Sequence, residues 1–444
     1  MKNRISIVVL FLFCLHCICT SALAVLKKED VEVFKLDNGL KVLLLEDHDI
    51  PNIAMYTFFR VGSRNEYTGL TGVSHFIEHM MFNGTEKIGP GEFDRNMEFM
   101  GGSNNAYTGR DMTAYTDWFP ASALEPMIQM EADRMQGAIF DSKVLESERG
   151  VVAEERRLTT DNRNEALLEE QVVASAITAH PYHWDVIGWM SDIQNWKREA
   201  ILDYYHTYYA PNNAVLILVG DFKTEDAIGL IKKYYSPIKP GPPSPAVHTT
   251  EPPQLGEKRV NMVKEAQTPC FIMVYHSPEC TNPEFYPMSV IESAMLDGKS
   301  SRLYQRLVRE EQLAIDVYGG IYETIDPFLF SFYVKPRPGT DLGKIEKIIE
   351  EELEKIKKEG ISSRELQKAV NNIKSGFYNR LQTIAGKANL LGRYEILYGD
   401  FAVLFDQIKN YERLTPEQIK KAANRYFTDK NKTVGKLIPE GGTK

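Results

Sequence analysis

Cysteine is scarce in this 444-residue sequence, and its placement does not suit a metal site. Three of the five cysteines lie within the first 19 residues, and the other two, Cys270 and Cys280, stand ten positions apart. Because no pair of histidines lies near them, they make a poor zinc site. Their spacing leaves open whether the two thiols form a disulfide in an oxidising compartment or stay free.

Long apolar runs are absent beyond residue 24, so no further membrane-spanning helix is expected. Residues 1–24 have the features of a signal peptide: Lys2 and Arg4 at the start, an apolar run of about 15 residues, and Ala22 and Ala24 before a cleavage point. That run is shorter than the roughly 20 residues that span a bilayer, although an uncleaved anchor stays the alternative. We expect an exported protein, periplasmic or secreted, with no stable membrane span after signal removal.

An excess of positive charge is also missing. The chain has 52 Lys and Arg against 61 Asp and Glu, for a formal net charge of −9. Signal removal takes two positive charges away and makes the mature chain more acidic still. An acidic surface argues against nucleic acid or an anionic membrane as the main partner. The 43% of hydrophobic residues is typical of a globular chain and not of a disordered one.

Two stretches with the same order of predicted strands and helices flank a proline-rich segment. We predict a signal peptide at 1–24, a first domain at 25–238, a stiff linker at 239–257 and a second domain at 258–444. The fold class is α+β: two similar domains, each a mixed or antiparallel sheet covered by helices, related by internal duplication. Residues 382–415 receive no predicted element.

The sequence H-F-I-E-H at His75–His79 carries the chemistry. The two histidines are four residues apart, so on a helix they lie on one face and can reach one tetrahedral zinc ion. Glu78 lies on the same side, where its carboxylate can take a proton from a zinc-bound water as that water attacks a carbonyl carbon. The helix is expected to begin after Gly72, with Ser74 as its cap. An ordinary surface helix with two histidines would share the pattern.

A third ligand is expected from the helix that contains Glu148 and Glu155. These two residues are seven positions apart, two turns along one helix face, with Val151 and Val152 expected to bury that face. A solvated charged helix fits the same segment. The second domain contains no H-x-x-E-H.

Taken with its flanks, the motif resembles the pitrilysin family of zinc metallopeptidases, which includes insulin-degrading enzyme and the β subunit of the mitochondrial processing peptidase. The resemblance extends from H-F-I-E-H to E-R-G-V-V-A-E-E, whose last Glu follows the second His by 76 positions. It also includes the flanks at 72–74 and 80–85, the segment N-A-Y-T at 105–108 and H-P-Y at 180–182.

The resemblance implies a role for each of these residues. His75, His79 and Glu155 would be the ligands of one Zn²⁺ per chain, Glu78 the general base and Glu148 a supporting acid. The 25–238 domain would then be the zinc-binding catalytic domain, and the 258–444 domain a similar fold without the zinc motif.

The resemblance further implies that Asn105, Ala106, Tyr107 and Thr108 form an edge strand beside the metal. An extended substrate peptide would pair with that strand through its backbone, with little regard to sequence. An ordinary inner strand stays the alternative, because unpaired edges are usually blunted.

The second domain departs from the family pattern. Self-sufficient members carry an Arg and a Tyr seven residues apart there, and the corresponding positions here are Val308 and Ile315, which donate no side-chain hydrogen bond. Arg309 and Tyr318 lie nearby with a spacing of nine. We therefore expect a heterodimer with a sister chain that supplies the Arg/Tyr pair, and a homodimer is the alternative.

The predicted function is that of a zinc-dependent endopeptidase acting on peptides or exported polypeptides. The alternative is a non-catalytic structural or binding subunit of a peptidase-like complex, because a fold can outlast its chemistry.

Overall fold

The protein is an α+β molecule with two sheets, seen here in a computed structural model that describes residues 26–440. The predicted signal segment lies outside the described residues. We call residues 26–238 the first half and residues 258–440 the second half. The strands are β1 (Glu32–Lys35), β2 (Lys41–Glu46), β3 (Asn52–Phe59), β4 (Ser103–Thr108), β5 (Thr113–Pro120), β6 (Ala214–Gly220), β7 (Lys258–Lys264), β8 (Cys270–Ser277), β9 (Ala314–Ile321), β10 (Phe328–Pro336) and β11 (Lys432–Pro439).

Helices surround both sheets. They are α1 (Val73–Met80), α2 (Glu92–Phe99), α3 (Leu124–Gly137), α4 (Ser142–Arg156), α5 (Asn164–Ala176), α6 (Met190–Asn195), α7 (Arg198–Tyr208), α8 (Thr224–Tyr235), α9 (Phe285–Leu296), α10 (Leu342–Glu359), α11 (Ser363–Arg380), α12 (Ile384–Leu397), α13 (Gln407–Glu412) and α14 (Pro416–Tyr426). Short π-helical segments follow α4 and precede β9, at Arg157–Asp161 and Tyr304–Glu310.

The two sheets share one connectivity, as expected for a duplicated unit. The first has the strand order β1-β2-β6-β3-β5-β4, and the second β7-β11-β8-β10-β9. In each, one parallel pair (β2 with β6, β7 with β11) is followed by antiparallel pairs only. Without β1, the sheets correspond strand for strand, and β4 corresponds to β9 as the edge strand.

One helix of each half packs on the sheet of the other half, and we call these two helices, α5 and α12, the exchanged helices. Helix α5 of the first half packs on β8 and β11, and α12 of the second half packs on β3 and β6. The contacts are close at two glycines: a Cβ on Gly435 of β11 would lie 2.2 Å from Cγ2 of Val172, and one on Gly392 of α12 would lie 2.1 Å from the Phe58 ring. The exchanged helices therefore join the two halves through apolar packing.

Helix α12 occupies a stretch for which the sequence predicted nothing. Gly386 and Gly392 lie within it, and each lowers intrinsic helix propensity by about 1 kcal/mol relative to alanine. Burial against the first sheet offsets that cost, since Ala388 and Leu391 are fully buried there. Tertiary packing overrides local propensity at this helix.

The proline-rich segment at 239–257 has neither helix nor strand. Glu251 ties it to the first half by accepting hydrogen bonds from the backbone N–H groups of residues 178–180. The boundaries of the domains stay a prediction.

Two further findings concern the opening expectations. Cys270 and Cys280 are both buried, and both are free thiols. Within residues 26–440, no helix is long and apolar enough to span a membrane.

Candidate metal centre

Helix α1 begins after Gly72, as predicted, but its cap differs from the prediction. Gly72 takes the cap position with a left-handed φ of 83°, and Ser74 lies inside the helix, where its hydroxyl pairs with the hydroxyl of Tyr204 at 2.9 Å. The carboxylate of Glu66 instead accepts from the N–H groups of Gly72 and Ser74, both at 2.8 Å. The predicted Ser74 cap is therefore wrong, because a buried acid eight residues upstream satisfies the first N–H groups of the helix.

The two imidazoles of α1 meet a carboxylate of α4. The Nε2 atoms of His75 and His79 lie 3.3 Å apart, and Oε2 of Glu155 lies 3.8 Å from the first and 3.5 Å from the second. One donor atom from each of the three residues falls within 4.8 Å of the others. The structure thus brings together three side chains that are separated by up to 80 positions in the chain.

These separations fit a zinc ion. Zinc bound tetrahedrally at about 2.0–2.1 Å from each imidazole nitrogen holds the two nitrogens about 3.3 Å apart. The two-His, one-carboxylate donor set is also one that catalytic zinc sites use. The three residues present therefore fit the metal, and they leave a fourth coordination position open.

Glu148 lies behind His79 and orients it. Oε1 of Glu148 is 2.8 Å from Nδ1 of His79, and its Oε2 accepts from the side-chain amide of Asn83 at 3.1 Å. Because Nδ1 of His79 is paired with Glu148, its Nε2 is left to face His75 and Glu155. A carboxylate that pairs with one ring nitrogen in this way fixes the tautomer of a metal-binding histidine. We call His75, His79 and Glu155 the triad. These hydrogen bonds, that of His79 first, lower the pKa of Glu148.

The two histidines titrate differently in the metal-free chain. Burial, with repulsion from His79, lowers the pKa of His75 to about 4, so His75 is neutral and ready to bind a metal. Although burial lowers the pKa of His79, hydrogen bonds with Glu148 and Glu155 raise it to about 9. A metal ion at this site would therefore displace a proton from His79.

Glu78 lies beside the triad and is held by the neighbouring strand. The hydroxyl of Thr108 donates to its Oε2 at 2.5 Å. Burial raises the pKa of Glu78, while the Thr108 hydrogen bond opposes that shift. A raised pKa makes the carboxylate a better acceptor for a proton.

Strand β4 is the outermost strand of its sheet, and its predicted substrate-binding segment lies along that edge. Asn105 is exposed, while Ala106, Tyr107 and Thr108 are half-buried. The Tyr107 hydroxyl donates to Asn389 on α12, so the second half contacts this strand directly.

Helix α4 does not bury the face that the sequence suggested. Val152 is fully buried, but Val151 is 50% exposed, and the expectation for Val151 is wrong. Val151 and Glu155 are four positions apart on α4, so the face that carries Glu155 is partly exposed instead of packed against a neighbour.

Asn83, Glu66 and the Thr108 hydroxyl are the supporting groups that sequence reasoning missed. Asn83 lies just beyond the end of α1, four positions after His79, and its place in the flank at 80–85 was a usable signal. Glu66 lies in the loop before α1, and no local sequence pattern identifies it as a residue that caps the helix.

Three of the second-half positions named above are exposed or contact residues of their own half. Tyr318 is 47% exposed on the edge strand β9 and stacks on Tyr333 with ring centroids 5.2 Å apart. The Arg309 guanidinium lies 6.0 Å from the centre of the Tyr304 ring. Ile315 is 48% exposed on the same strand as Tyr318.

Comparison with known families gives two matches. The sequence profile described as "Insulinase (Peptidase family M16)" matches residues 41–188, and the profile described as "Peptidase M16 inactive domain" matches residues 195–373. His75, His79 and Glu155 all lie within the residues that the first profile matches.

Individual relatives point the same way. The zinc protease PqqE of Helicobacter pylori is 31% identical over 412 residues, covering 92% of this chain and 93% of the relative. A crystal structure of a protease from Helicobacter pylori superposes with a TM-score of 0.89 at 30% identity, covering 92% of this chain and 99% of the other. The periplasmic protease PqqL of Escherichia coli shares the fold at a TM-score of 0.76 and 18% identity; 94% of this chain matches 48% of that one.

Proposed function

The chain belongs to the M16 (insulinase) family of peptidases, and on that premise we propose that it is a zinc-dependent endopeptidase acting on peptides or exported polypeptides. The observation that carries the proposal is the convergence of His75, His79 and Glu155, with Glu78 beside them. The relatives' name, zinc protease, agrees with this donor set.

His75, His79 and Glu155 would hold one zinc ion per chain. When bound, the ion supplies Lewis acidity that polarises a carbonyl group and lowers the pKa of water. Glu148 keeps His79 in the tautomer that binds the metal, through the hydrogen bond to Nδ1.

Glu78 would act as general base and then as general acid. Its carboxylate takes a proton from the attacking water and gives it to the nitrogen of the leaving amine. The Thr108 hydroxyl holds one carboxylate oxygen, which leaves the other free for the water.

Residues 105–108 of β4 would bind the substrate. An extended peptide adds to the free edge of the strand through backbone hydrogen bonds, which suits a broad range of sequences. Asn105 is exposed at this edge.

We further propose that the chain works as a pair. No Arg/Tyr pair stands at Val308 and Ile315, so a sister chain would supply these donors to the carbonyl oxygen on which charge develops. A homodimer is the second candidate. The signal segment makes the proposed location the periplasm or the outside of the cell.

A Glu78→Gln variant tests the enzymatic role. We expect it to bind one zinc per chain and to lose cleavage of a quenched-fluorescent peptide library by about a thousandfold or more, because Gln cannot accept the proton. The same zinc content with undiminished cleavage would contradict the assignment of Glu78. Wild-type protein that binds zinc and cuts no member of the library, with or without a partner, would favour the structural subunit.

The pairing is tested separately. The purified chain is assayed alone and with sister chains encoded nearby, and its mass in solution is measured by light scattering. Full cleavage by a monomer would refute the need for a partner, and full cleavage by a dimer of this chain alone would favour the homodimer.

A further inference from the structure

A cluster of buried and half-buried polar groups joins the second half to the turn between β4 and β5. Asp326, in the loop between β9 and β10, accepts hydrogen bonds from Nε of Arg64 at 2.5 Å and from Nε2 of His180 at 3.1 Å. Asp111, in the β4–β5 turn, accepts from the Tyr182 hydroxyl at 2.5 Å. We call these five residues the polar junction.

Backbone groups of the second half complete the junction. The N–H of Ile325 donates to the second oxygen of Asp111 at 3.2 Å, and the N–H of Asp326 donates to the Tyr182 hydroxyl at 3.3 Å. Tyr182 is fully buried, and Asp111 and His180 are 5% and 3% exposed. Buried polar groups that satisfy one another in this way specify one arrangement of the elements that carry them.

The junction connects to two elements beside the candidate metal centre, β4 and α1. The N–H of Arg64 donates to the carbonyl of Arg110 at 2.9 Å, so the same residue that binds Asp326 also holds the β4–β5 turn. That turn begins directly after Thr108, whose hydroxyl holds Glu78. Two residues after Arg64, the carboxylate of Glu66 holds the first turn of α1.

The fit at this point is close. A Cβ on Gly62 would lie 2.3 Å from the carbonyl oxygen of Gly109, so the segment before Arg64 packs directly on the turn. The linker takes part as well, because Glu251 accepts from the backbone N–H of His180 at 3.0 Å. First half, linker and second half all meet here.

From these contacts we propose that the polar junction is a positioning device, through which the second half sets the end of β4 and thereby the Thr108–Glu78 hydrogen bond. Asp326 is its key residue in the second half. The expected effect on kcat rests on the proposed peptidase function. The expected effect on the order of β4 does not depend on that function. It gives the half without metal ligands a role in the site of the other.

The test compares two carboxylate-to-amide substitutions, each at an ion pair between the halves. Asp326→Asn breaks the junction. Asp47→Asn is the control, because Asp47 pairs with Lys387 of α12 at 2.5 Å and follows β2, four strands from β4 in the sheet order. Tyr182→Phe removes one hydroxyl from the junction and serves if Asp326→Asn does not fold.

We expect Asp326→Asn to keep its zinc and to lower kcat about tenfold with KM changed less than about twofold, because small misplacement of a catalytic group is costly. The substrate is the peptide of the quenched library that the wild type cuts fastest. Asp47→Asn should leave kcat unchanged. In a double variant, adding Asp326→Asn to Thr108→Val should lower kcat little further, since both act through one hydrogen bond.

Hydrogen–deuterium exchange measures the effect of the polar junction on β4 without an enzymatic assay. Peptides that cover residues 103–113 should exchange faster in Asp326→Asn and Tyr182→Phe than in the wild type or in Asp47→Asn. Unchanged exchange at 103–113, equal kcat losses in both Asn variants, or independent losses in the double variant would overturn the proposal. If the wild type has no peptidase activity, the proposed function fails, and the exchange comparison still decides on the junction.

Discussion

The helix that carries two histidines in the first half has a counterpart with two serines in the second. Helices α1 and α9 each follow a central strand of their sheet, β3 and β8, and H-F-I-E-H at 75–79 has the same spacing of its glutamate and flanking pair as S-V-I-E-S at 289–293. Glu78 accepts from Thr108 at the end of β4, and Glu292 accepts from the N–H of Ile321 at the end of β9. The acid occupies the same place in both halves, and the imidazoles occur in one.

The comparison separates what the scaffold requires from what the chemistry requires. Ser289 donates to a carbonyl of its own helix, Ser293 is 1% exposed, and burial raises the pKa of Glu292 to about 8. Among residues 26–440, no second group of three metal-binding side chains comes as close together as His75, His79 and Glu155. The glutamate therefore has a use in holding the edge strand that does not depend on a metal.

The largest expected effect comes from replacing a histidine of α1 with the serine found at the corresponding position of α9. His79→Ser removes one of the three proposed ligands and the partner of Glu148, so zinc affinity should fall by more than about a hundredfold and cleavage should be lost. Metal analysis after dialysis measures the first effect. Ser293→Ala, at the counterpart position, is the control and should change neither; a His79→Ser variant that retains full zinc would break the comparison.

A smaller effect is expected behind the ligand. Glu148→Gln keeps the shape of the side chain and removes the charge that favours the His79 tautomer, so zinc affinity should fall about 10–100-fold. Competition with a chelator of known affinity measures the change. Equal zinc affinity in the variant and the wild type would show that Glu148 has no supporting role.

Substitutions at the two exchanged helices test whether each half contributes to the stability of the other. Gly392→Ala places a methyl group against the Phe58 ring, and Gly435→Ala places one against Val172, so each should destabilise the protein by about 1–3 kcal/mol. Denaturant unfolding measures the loss. Gly229→Ala in α8, where a Cβ meets nothing within 4 Å, is the matched control, and equal stability of all three variants would contradict the exchange.

A further effect concerns Glu292 and depends on pH. Its pKa of about 8 in the folded chain lies above the unfolded value near 4.5, so its contribution to stability is intact below pH 4.5 and is lost as the pH rises to 8. Glu292→Gln, which does not titrate, should match the wild type at pH 4.5 and be more stable than the wild type at pH 8. Thermal unfolding at both pH values measures this; a difference that does not change with pH would contradict the buried acid.

Local patterns were enough to predict much of the fold. Apolar spacing predicts helices at 224–235 and 416–426, and α8 and α14 have these bounds, because the signals for each helix lie within one segment. The duplicated order of elements was visible for the same reason. Helix α12 was missed because its glycines argue against a helix and its support comes from the first sheet.

The candidate site divides in the same way. His75, Glu78 and His79 share one helix, so a spacing of four residues was sufficient to predict that they face one point. Glu155 was identified through family resemblance, and its 3.5 Å approach to His79 depends on how α4 packs against α1.

The sequence by itself determined the two halves, the motif helix and the type of metal that its donors suit, because periodicity and donor chemistry act over a few residues. Only the tertiary structure decided that Glu66 caps that helix, that Thr108 holds Glu78, and that Asp326 of the other half reaches the same turn. The Thr108 and Asp326 contacts join residues far apart in the chain, and the Glu66 contact depends on how a loop folds back on the helix, so packing sets the geometry of all three.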